Sequence, residues 1–330
     1  LLNVLDLRLD KGSLNKLITY NNYLYGFHTS AIVRVNYNTQ QQVTTTQGLP
    51  IELSSSDNVT GYQTLFDDMG IMDAHHIIDT AGGLVFLDSN TKQLYCLGQQ
   101  LANLTKSAGM NSWFQQLTLR SWSPLTFGSP IVQYDAINRE ILIITKTQCL
   151  VYSFDTQTFT SFYSYENTPY VINFKDKNYM LHKTTNYYKL WEKHGTQTNS
   201  FFDVSKPYYT TVVLNENPLS HKILNNIEYQ ADFYNINDAT NLITTFNFNK
   251  LKVWNEYQEG EVDLKFTRDE ISSLQGKFRT WRVQAPRANK TSHPKDRIAG
   301  NWAFIKLGRE LLENQSMRDP IAVHKMILHN

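Results

Sequence analysis

An all-β fold, with an irregular β-propeller-like half followed by an antiparallel β-sandwich, is what this 330-residue chain predicts, on three observations. A short apolar strand, a polar turn built on Thr, Ser or Asn, and a second strand rich in Tyr recur along its first part. Aromatic residues make up 13% of the chain, which suits β-rich packing. Elsewhere apolar and polar residues alternate, with Asn, Asp, Gly and Pro at the breaks.

The recurring module occupies residues 23–35, 83–97, 140–154 and 178–191. No single unit of this kind buries both of its faces, so the copies must pack on one another, as blades do. Four modules are few for a closed propeller, whose blades take ~40–45 residues each. The ring is then either small and irregular, or completed by another segment of a precursor or by a neighbouring subunit. Alternation turns Phe86, Tyr95, Ile143, Tyr152, Phe162 and Trp191 inward as the core of these strands.

Between the modules, residues 36–61 are rich in Thr, Gln and Ser and read as an exposed excursion and a contact loop. Residues 99–107 carry Leu101 and Leu104 three apart and stop before Gly109, the pattern of a short helix; residues 309–313 are a weaker helical segment. The modules end near Lys193, and the polar run 194–200 leads to longer strands at 210–214, 227–233, 243–248, 251–254 and 262–266, the spacing of a sandwich. Two domains follow, 1–200 and 201–330, with the boundary between Lys193 and Pro207. A last pair of strands, 278–283 and 302–307, brackets a segment holding Arg282, Pro286, Arg287, Lys290, Pro294, Lys295 and Arg297. It reads as a long basic loop. Such loops serve contacts more often than mere connection, here with acidic groups of a neighbouring subunit or with DNA phosphates, the first preferred.

Composition narrows function. Hydrophobic residues at 41% exclude wholesale disorder, and 31 basic against 30 acidic side chains leave a net charge of +1 that does not steer the chain to nucleic acid or anionic membrane. No apolar run reaches the ~20 residues of a membrane helix, and the first residues lack a signal-peptide core. Leu1 stands where an initiator Met would be, as in a trimmed chain, one cleaved from a precursor, or one shown without its true start. Cys96 and Cys149 sit inside strands and read as buried free thiols, since zinc and disulfide frameworks need more ligands.

Chemistry-bearing clusters are few. Asp67, Asp68, Asp73, His75, His76 and Asp79 could hold a divalent ion, but they lack fixed ligand spacing, and a turn whose carboxylates cap backbone amides is the default reading. Glu140, Glu166 and Glu192 could serve a glycan hydrolase only if two of them faced across a cleft. Trp113, Trp122, Trp191, Trp254, Trp281 and Trp302 form a sugar-stacking set in principle, but most fall in alternating strands and read as core. Sequons at Asn58, Asn103, Asn289 and Asn314 are what an Asn-rich chain contains by chance. No nucleophile elbow, Walker loop or dinucleotide fingerprint is present, and no catalytic residue or cofactor is assigned.

The segment Gly82-Gly-Leu-Val-Phe-Leu-Asp88, with Leu94-Tyr-Cys-Leu97 and Gly109-Met-Asn-Ser-Trp-Phe114, resembles the tail stabilisation (nozzle, or muzzle) proteins of crAss-like short-tailed phages. So do residues 149–163 and the ending Trp281-Arg-Val-Gln-Ala-Pro-Arg287, Asp296-Arg-Ile-Ala-Gly-Asn-Trp302 and Ile305-Lys-Leu307. The resemblance runs from about Leu14 to the C-terminus and rests on the order of the motifs. It implies a non-enzymatic virion protein that forms a homo-oligomeric, sixfold ring at the distal end of a short tail, around the DNA exit channel. It implies a longer precursor whose N-terminal part precedes this chain. The implied partners are adaptor or ring proteins, tail fibres, and genomic DNA passing without specific binding; no cofactor and no membrane insertion are implied. A carbohydrate-binding propeller adhesin and a glycan hydrolase are the alternatives from the residues alone.

Overall fold

A computed structural model describes residues 5–7, 9–37, 40–44, 50–54, 59–120, 128–166, 168–174, 177–183, 187–193, 200–202, 204–215, 217–235, 238–242, 247–265, 275–277, 280–288, 296–310 and 321–329. These residues are almost entirely β, and the chain divides into two units, Leu1–Lys193 and His194–Asn330.

Unit 1 is a run of antiparallel meanders. β1 (Leu14–Tyr20), β2 (Tyr23–His28) and β3 (Ile32–Tyr37) are followed by a separate hairpin of β4 (Gln40–Thr44) and β5 (Pro50–Ser54). Then β6 (Val59–Phe66) returns to pair with β3, giving the sheet order β1-β2-β3-β6. The second sheet holds β7 (Ile77–Thr80), β8 (Gly83–Leu87), β9 (Leu94–Leu97) and β10 (Leu101–Asn103); the third holds β11 (Ile131–Asp135), β12 (Glu140–Ile144), β13 (Cys149–Ser153) and β14 (Thr158–Tyr163). The fourth has β15 (Tyr170–Phe174), β16 (Lys177–Lys183) and β17 (Tyr188–Glu192). Three of the four sequence modules are the central hairpin of their sheet, and the fourth is the β16–β17 hairpin, whose second strand lies at the edge.

The turns explain the polar residues of the module. Asn21 and Asn22 link β1 to β2 with φ of 47° and 63°, the type I′ geometry that Asn tolerates. Longer turns start with a side-chain oxygen at the strand end that accepts from amides two or three residues on. Asp135 Oδ1 accepts from Ile137 N (3.1 Å) and Asn138 N (3.4 Å), Thr145 Oγ1 from Thr147 N (3.3 Å) and Gln148 N (3.0 Å), and Asp88 Oδ2 from Thr91 N (2.7 Å).

Alternation then sorts each strand between two neighbours. On the second sheet Leu84 and Phe86 face the first sheet, packing with Phe27, Ile32, Ile71 and Ile77. Val85, Leu87, Leu94 and Cys96 face the third sheet, packing with Val132, Ile141, Ile143, Leu150 and Tyr152. Phe86, Ile143 and Tyr152 lie in these cores, while Tyr95 is half-buried and stacks on Phe86 at 5.7 Å. Trp191, also half-buried, pairs across the ladder with buried Met180 and carries the Lys189 ammonium 4.0 Å over its ring. Phe162 is the exception: it is 55% exposed. It shares the face of its partner Leu150, but β14 is an edge strand with a register shift before Tyr152, and beyond it the ring meets only Trp113, at 6.2 Å, among the ring contacts described.

Successive sheets are also joined by buried polar contacts. Between the first and second, the main chain of Gly70 threads a gap where a Cβ would lie 2.2 Å from His28 O; Gly70 N donates to Asp88 Oδ1 (2.8 Å), and Ser89 N donates to Gly70 O (2.9 Å). Between the second and third, His76 Nε2 hydrogen-bonds Ser129 Oγ at 2.7 Å. Between the third and fourth, Asn178 Nδ2 donates to Tyr134 O (3.4 Å) and Lys193 Nζ meets the carboxylate of Asp135, both side chains being buried.

Unit 2 comprises β18 (Ser200–Phe201), β19 (Val204–Ser205), β20 (Tyr208–Leu214), β21 (Lys222–Ile223), β22 (Asn226–Asn235), β23 (Asp238–Leu242), β24 (Lys250–Trp254) and β25 (Glu259–Asp263). It continues with β26 (Gln275–Lys277), β27 (Thr280–Gln284), β28 (Ala299–Gly300), β29 (Ala303–Arg309) and β30 (Ile321–His329). Its larger sheets are ordered β20-β29-β24-β25 and β23-β22-β27-β26, with β30 pairing β22. Ile227, Tyr229 and Val283 from one and Leu251, Val253, Ile305 and Leu307 from the other share a single core, where the Tyr229 hydroxyl donates to Asn247 Oδ1 (2.8 Å).

Several sequence expectations are corrected. The segment 99–107 is strand β10 followed by a one-turn helix, α1 (Leu104–Ser107), because Leu101 belongs to the strand and Asn103 caps the helix only after it. Asn111–Gln115 forms a second short helix, α2, that the sequence reading did not anticipate. Arg309 ends strand β29 rather than starting a helix, and 311–313 lie outside the described residues. Of the strand expected at 243–248, Asn247 and Phe248 are not strand, and 243–246 lie outside the described residues; β25 stops at Asp263.

Two outcomes follow. Phe86→Ala, between two sheets, lowers unfolding stability by about 3–5 kcal/mol, whereas Phe162→Ala costs less than about 1 kcal/mol; urea titration monitored by circular dichroism measures both. Burial holds His76 down at a pKa of about 4, against 6.5 for the free side chain. The unfolded chain therefore binds the proton first, and the stability linked to His76 is whole above pH 6.5 and falls away toward pH 4, by roughly 3 kcal/mol. Unfolding at stepped pH shows this slope, and His76→Gln flattens it.

Candidate subunit-contact surfaces

The basic loop is less free than its composition suggests. Arg282 is not in the loop: it lies in β27, and its guanidinium pairs with Glu228 of neighbouring β22 at 3.3 Å. Arg287 and Arg297 face each other as an antiparallel bridge, with Ala288 N donating to Asp296 O (3.0 Å). Arg297 donates to Asn225 Oδ1 at 2.6 Å while remaining exposed. Lys290 and Lys295 lie outside the described residues.

What fixes the legs of this loop is the turn between β24 and β25. Gln258 Nε2 donates to Arg297 O (3.2 Å), and its Oε1 accepts from Ala299 N (2.8 Å). Gly260 lets the Arg287 backbone pass, since a Cβ there would sit 2.5 Å from Arg287 O. The excursion at 36–61 proves to be the hairpin β4–β5, hung from strands β3 and β6 that pair directly as Asn36↔Gly61 and Tyr37↔Val59.

The sequence reading missed a second kind of surface. On the fourth sheet the face carrying Asn178 and Met180 is turned inward, so the ladder pairs Ile172↔Tyr179 and Leu181↔Leu190 lie on the outward face with Phe174 and Tyr188. Ile172 is 54%, Phe174 61% and Leu190 55% exposed. On the first sheet Leu17 is 51% exposed, but Val33 and Val35 on the same face are buried. The clue in the sequence was the alternation of Tyr170, Ile172 and Phe174 in β15 and of Tyr188 and Leu190 in β17, with no apolar partner assigned to that face.

The acidic and His-bearing cluster has dispersed roles. Asp73 caps a 3-10 turn, accepting from His75 N (2.9 Å), Lys11 pairs with Asp67 at 3.3 Å, and His76 is the inter-sheet contact. Among the described residues no three His, Cys, Asp or Glu side chains converge as a metal site. Trp254 stacks on Phe304 at 5.0 Å, Trp302 meets the same ring at 5.1 Å, and Trp281 donates to Ala231 O (3.4 Å), so these indoles pack within the sheets. Trp122 lies outside the described residues. Cys96 and Cys149 are free and buried, and burial pushes both thiols up, away from reactivity.

A stack of small sheets with polar joints and apolar outward faces defines an all-β structural module. Its first 184 residues match the family described as Crassvirus muzzle protein, and residues 196–288 match the Crassvirus muzzle protein C-terminal domain. A relative described as the muzzle protein of Bacteroides phage crAss001 is 34% identical over 309 residues, which is 93% of this chain and 22% of that protein. The chain belongs to the Crassvirus muzzle protein family. It spans about a fifth of the length of the curated relative it matches.

Removing the Gln258 anchor tests the loop assignment. Gln258→Ala loses two hydrogen bonds, lowers stability by about 1–2 kcal/mol, and speeds tryptic cleavage after Arg287 and Arg297, read by mass spectrometry of timed digests.

Proposed function

We propose that this chain is part of a structural, non-catalytic virion protein that forms a ring at the distal end of a short phage tail, around the channel through which DNA leaves. The observation that carries the reading is the match to both parts of the muzzle family, in order along the chain. Unit 1 is an irregular propeller-like array, and its consecutive meanders with shared cores support that assignment. Unit 2 is a sandwich, supported by the single core to which its two larger sheets contribute. The exposed apolar face of the fourth sheet takes a further blade, from another segment or a neighbouring copy. The ring is a homo-oligomer of sixfold symmetry that meets adaptor or ring proteins and tail fibres, and it passes genomic DNA without gripping it. A net charge of +1 suits a conduit, because six to ten phosphate contacts would make release strongly salt-dependent.

Arg287 and Arg297 are the residues to test as subunit contacts, with Lys290 and Lys295 beside them in sequence; Arg282, held by Glu228, supports the loop from within. In the assembled ring, loss of an interface arginine leaves a carboxylate unpaired, at about 2–5 kcal/mol. Arg287→Ala with Arg297→Ala therefore weakens ring assembly in sedimentation velocity and leaves the already low DNA affinity nearly unchanged in a salt titration. Intact rings with a clearly reduced salt slope would make this loop a phosphate contact instead.

A further inference from the structure

We propose that Lys193 and Asp135 become covalently joined, the Lys193 amine displacing a carboxyl oxygen of Asp135 to leave an intramolecular isopeptide bond and one water. The geometry of a one-turnover condensation is assembled around this pair. Their side chains are 3% and 0% exposed and in contact, bringing the end of the fourth sheet onto the first strand of the third. An ammonium and a carboxylate together already hold the one oxygen and two hydrogens that leave as water, so the buried pair condenses without a further reagent.

The other parts lie on the same face. Asp135 Oδ1 accepts from Ile137 N (3.1 Å) and Asn138 N (3.4 Å), so two backbone amides already point at the oxygen on which negative charge develops. Glu140 is the direct cross-strand partner of Asp135 in the β11–β12 ladder and interacts with both Asp135 and Lys193. Burial pushes its carboxyl up, and the Tyr163 hydroxyl donates to its two oxygens at 3.1 and 3.2 Å. It is the proton carrier. The rings of Tyr163 and Tyr165 stand with their centroids 5.8 and 5.7 Å from Lys193 Nζ, and Cys149, fully buried on the same face, completes a wall that keeps water out.

The step balances without oxidant or reductant. Lys193 Nζ forms a bond to Asp135 Cγ, and the bond from Cγ to Oδ2 breaks. Glu140 relays two protons in turn from the nitrogen to the departing oxygen and ends in the state in which it began, as water leaves. The bond would close a loop between residues 58 apart and tie down the fourth sheet, whose outward face is exposed.

Intact-mass spectrometry of the denatured 330-residue chain tests this directly. The expected mass is that of the sequence less one water. Trypsin then fails to cut after Lys193 and yields a branched peptide joining it to the segment bearing Asp135. Lys193→Arg and Glu140→Gln each restore the full sequence mass. An unmodified wild-type mass, with Lys193 fully open to reductive methylation under denaturing conditions, overturns the proposal, as does a water loss mapped to any other pair. The decisive reading is on the wild-type chain, so it stands whether or not a variant folds.

Discussion

The structure of unit 1 depends on one constraint: each small sheet is apolar on both faces and has to be held at a fixed register against its neighbours. Apolar packing supplies the attraction but little direction, because Leu, Ile and Phe surfaces slide over one another at modest cost. Direction comes from buried polar groups at the strand ends. Gly70 with Asp88, His76 with Ser129, and Lys193 with Asp135 each join one sheet to the next. A buried polar group left unmatched is penalised more than a matched one is rewarded, so a shifted stack loses these contacts and exposes the loss. Packing binds the sheets, and the polar joints choose the arrangement.

Such an array is coupled chiefly between neighbours. The second sheet illustrates it: Leu84 and Phe86 serve one interface while Val85 and Leu87 serve the other, so each sheet answers to two partners. The fourth sheet has only one described partner, which is why Ile172, Phe174 and Leu190 remain exposed. Unit 2 is organised differently, around one core fed by strands distant in sequence, such as the ladder of β20 with β29.

Much of this was legible in the sequence where the determinants are local. A hairpin needs only a turn and two alternating strands, and all four modules surfaced for that reason. The joints were hidden because their partners are far apart, 53 residues for His76 and Ser129 and 58 for Lys193 and Asp135. Phe162 was misread because alternation gives the face of a strand but not whether anything covers that face at a sheet edge. Arg282 was placed in a loop because charge density outweighed the alternation of Trp281 and Val283, which its pairing with Glu228 satisfies. The leucines at 101 and 104 fitted a helix because a three-residue interval cannot separate one turn of helix from a strand running into a turn.

The pairing of β3 with β6 across the β4–β5 hairpin has an evolutionary consequence. The host sheet closes its ladder before and after the excursion, so its register does not depend on what lies between. Related chains can therefore lengthen, shorten or exchange this hairpin while the sheet that carries it is inherited unchanged. The same independence makes it an insertion port, where a label or a foreign peptide can be placed with the pairing of β3 and β6 preserved.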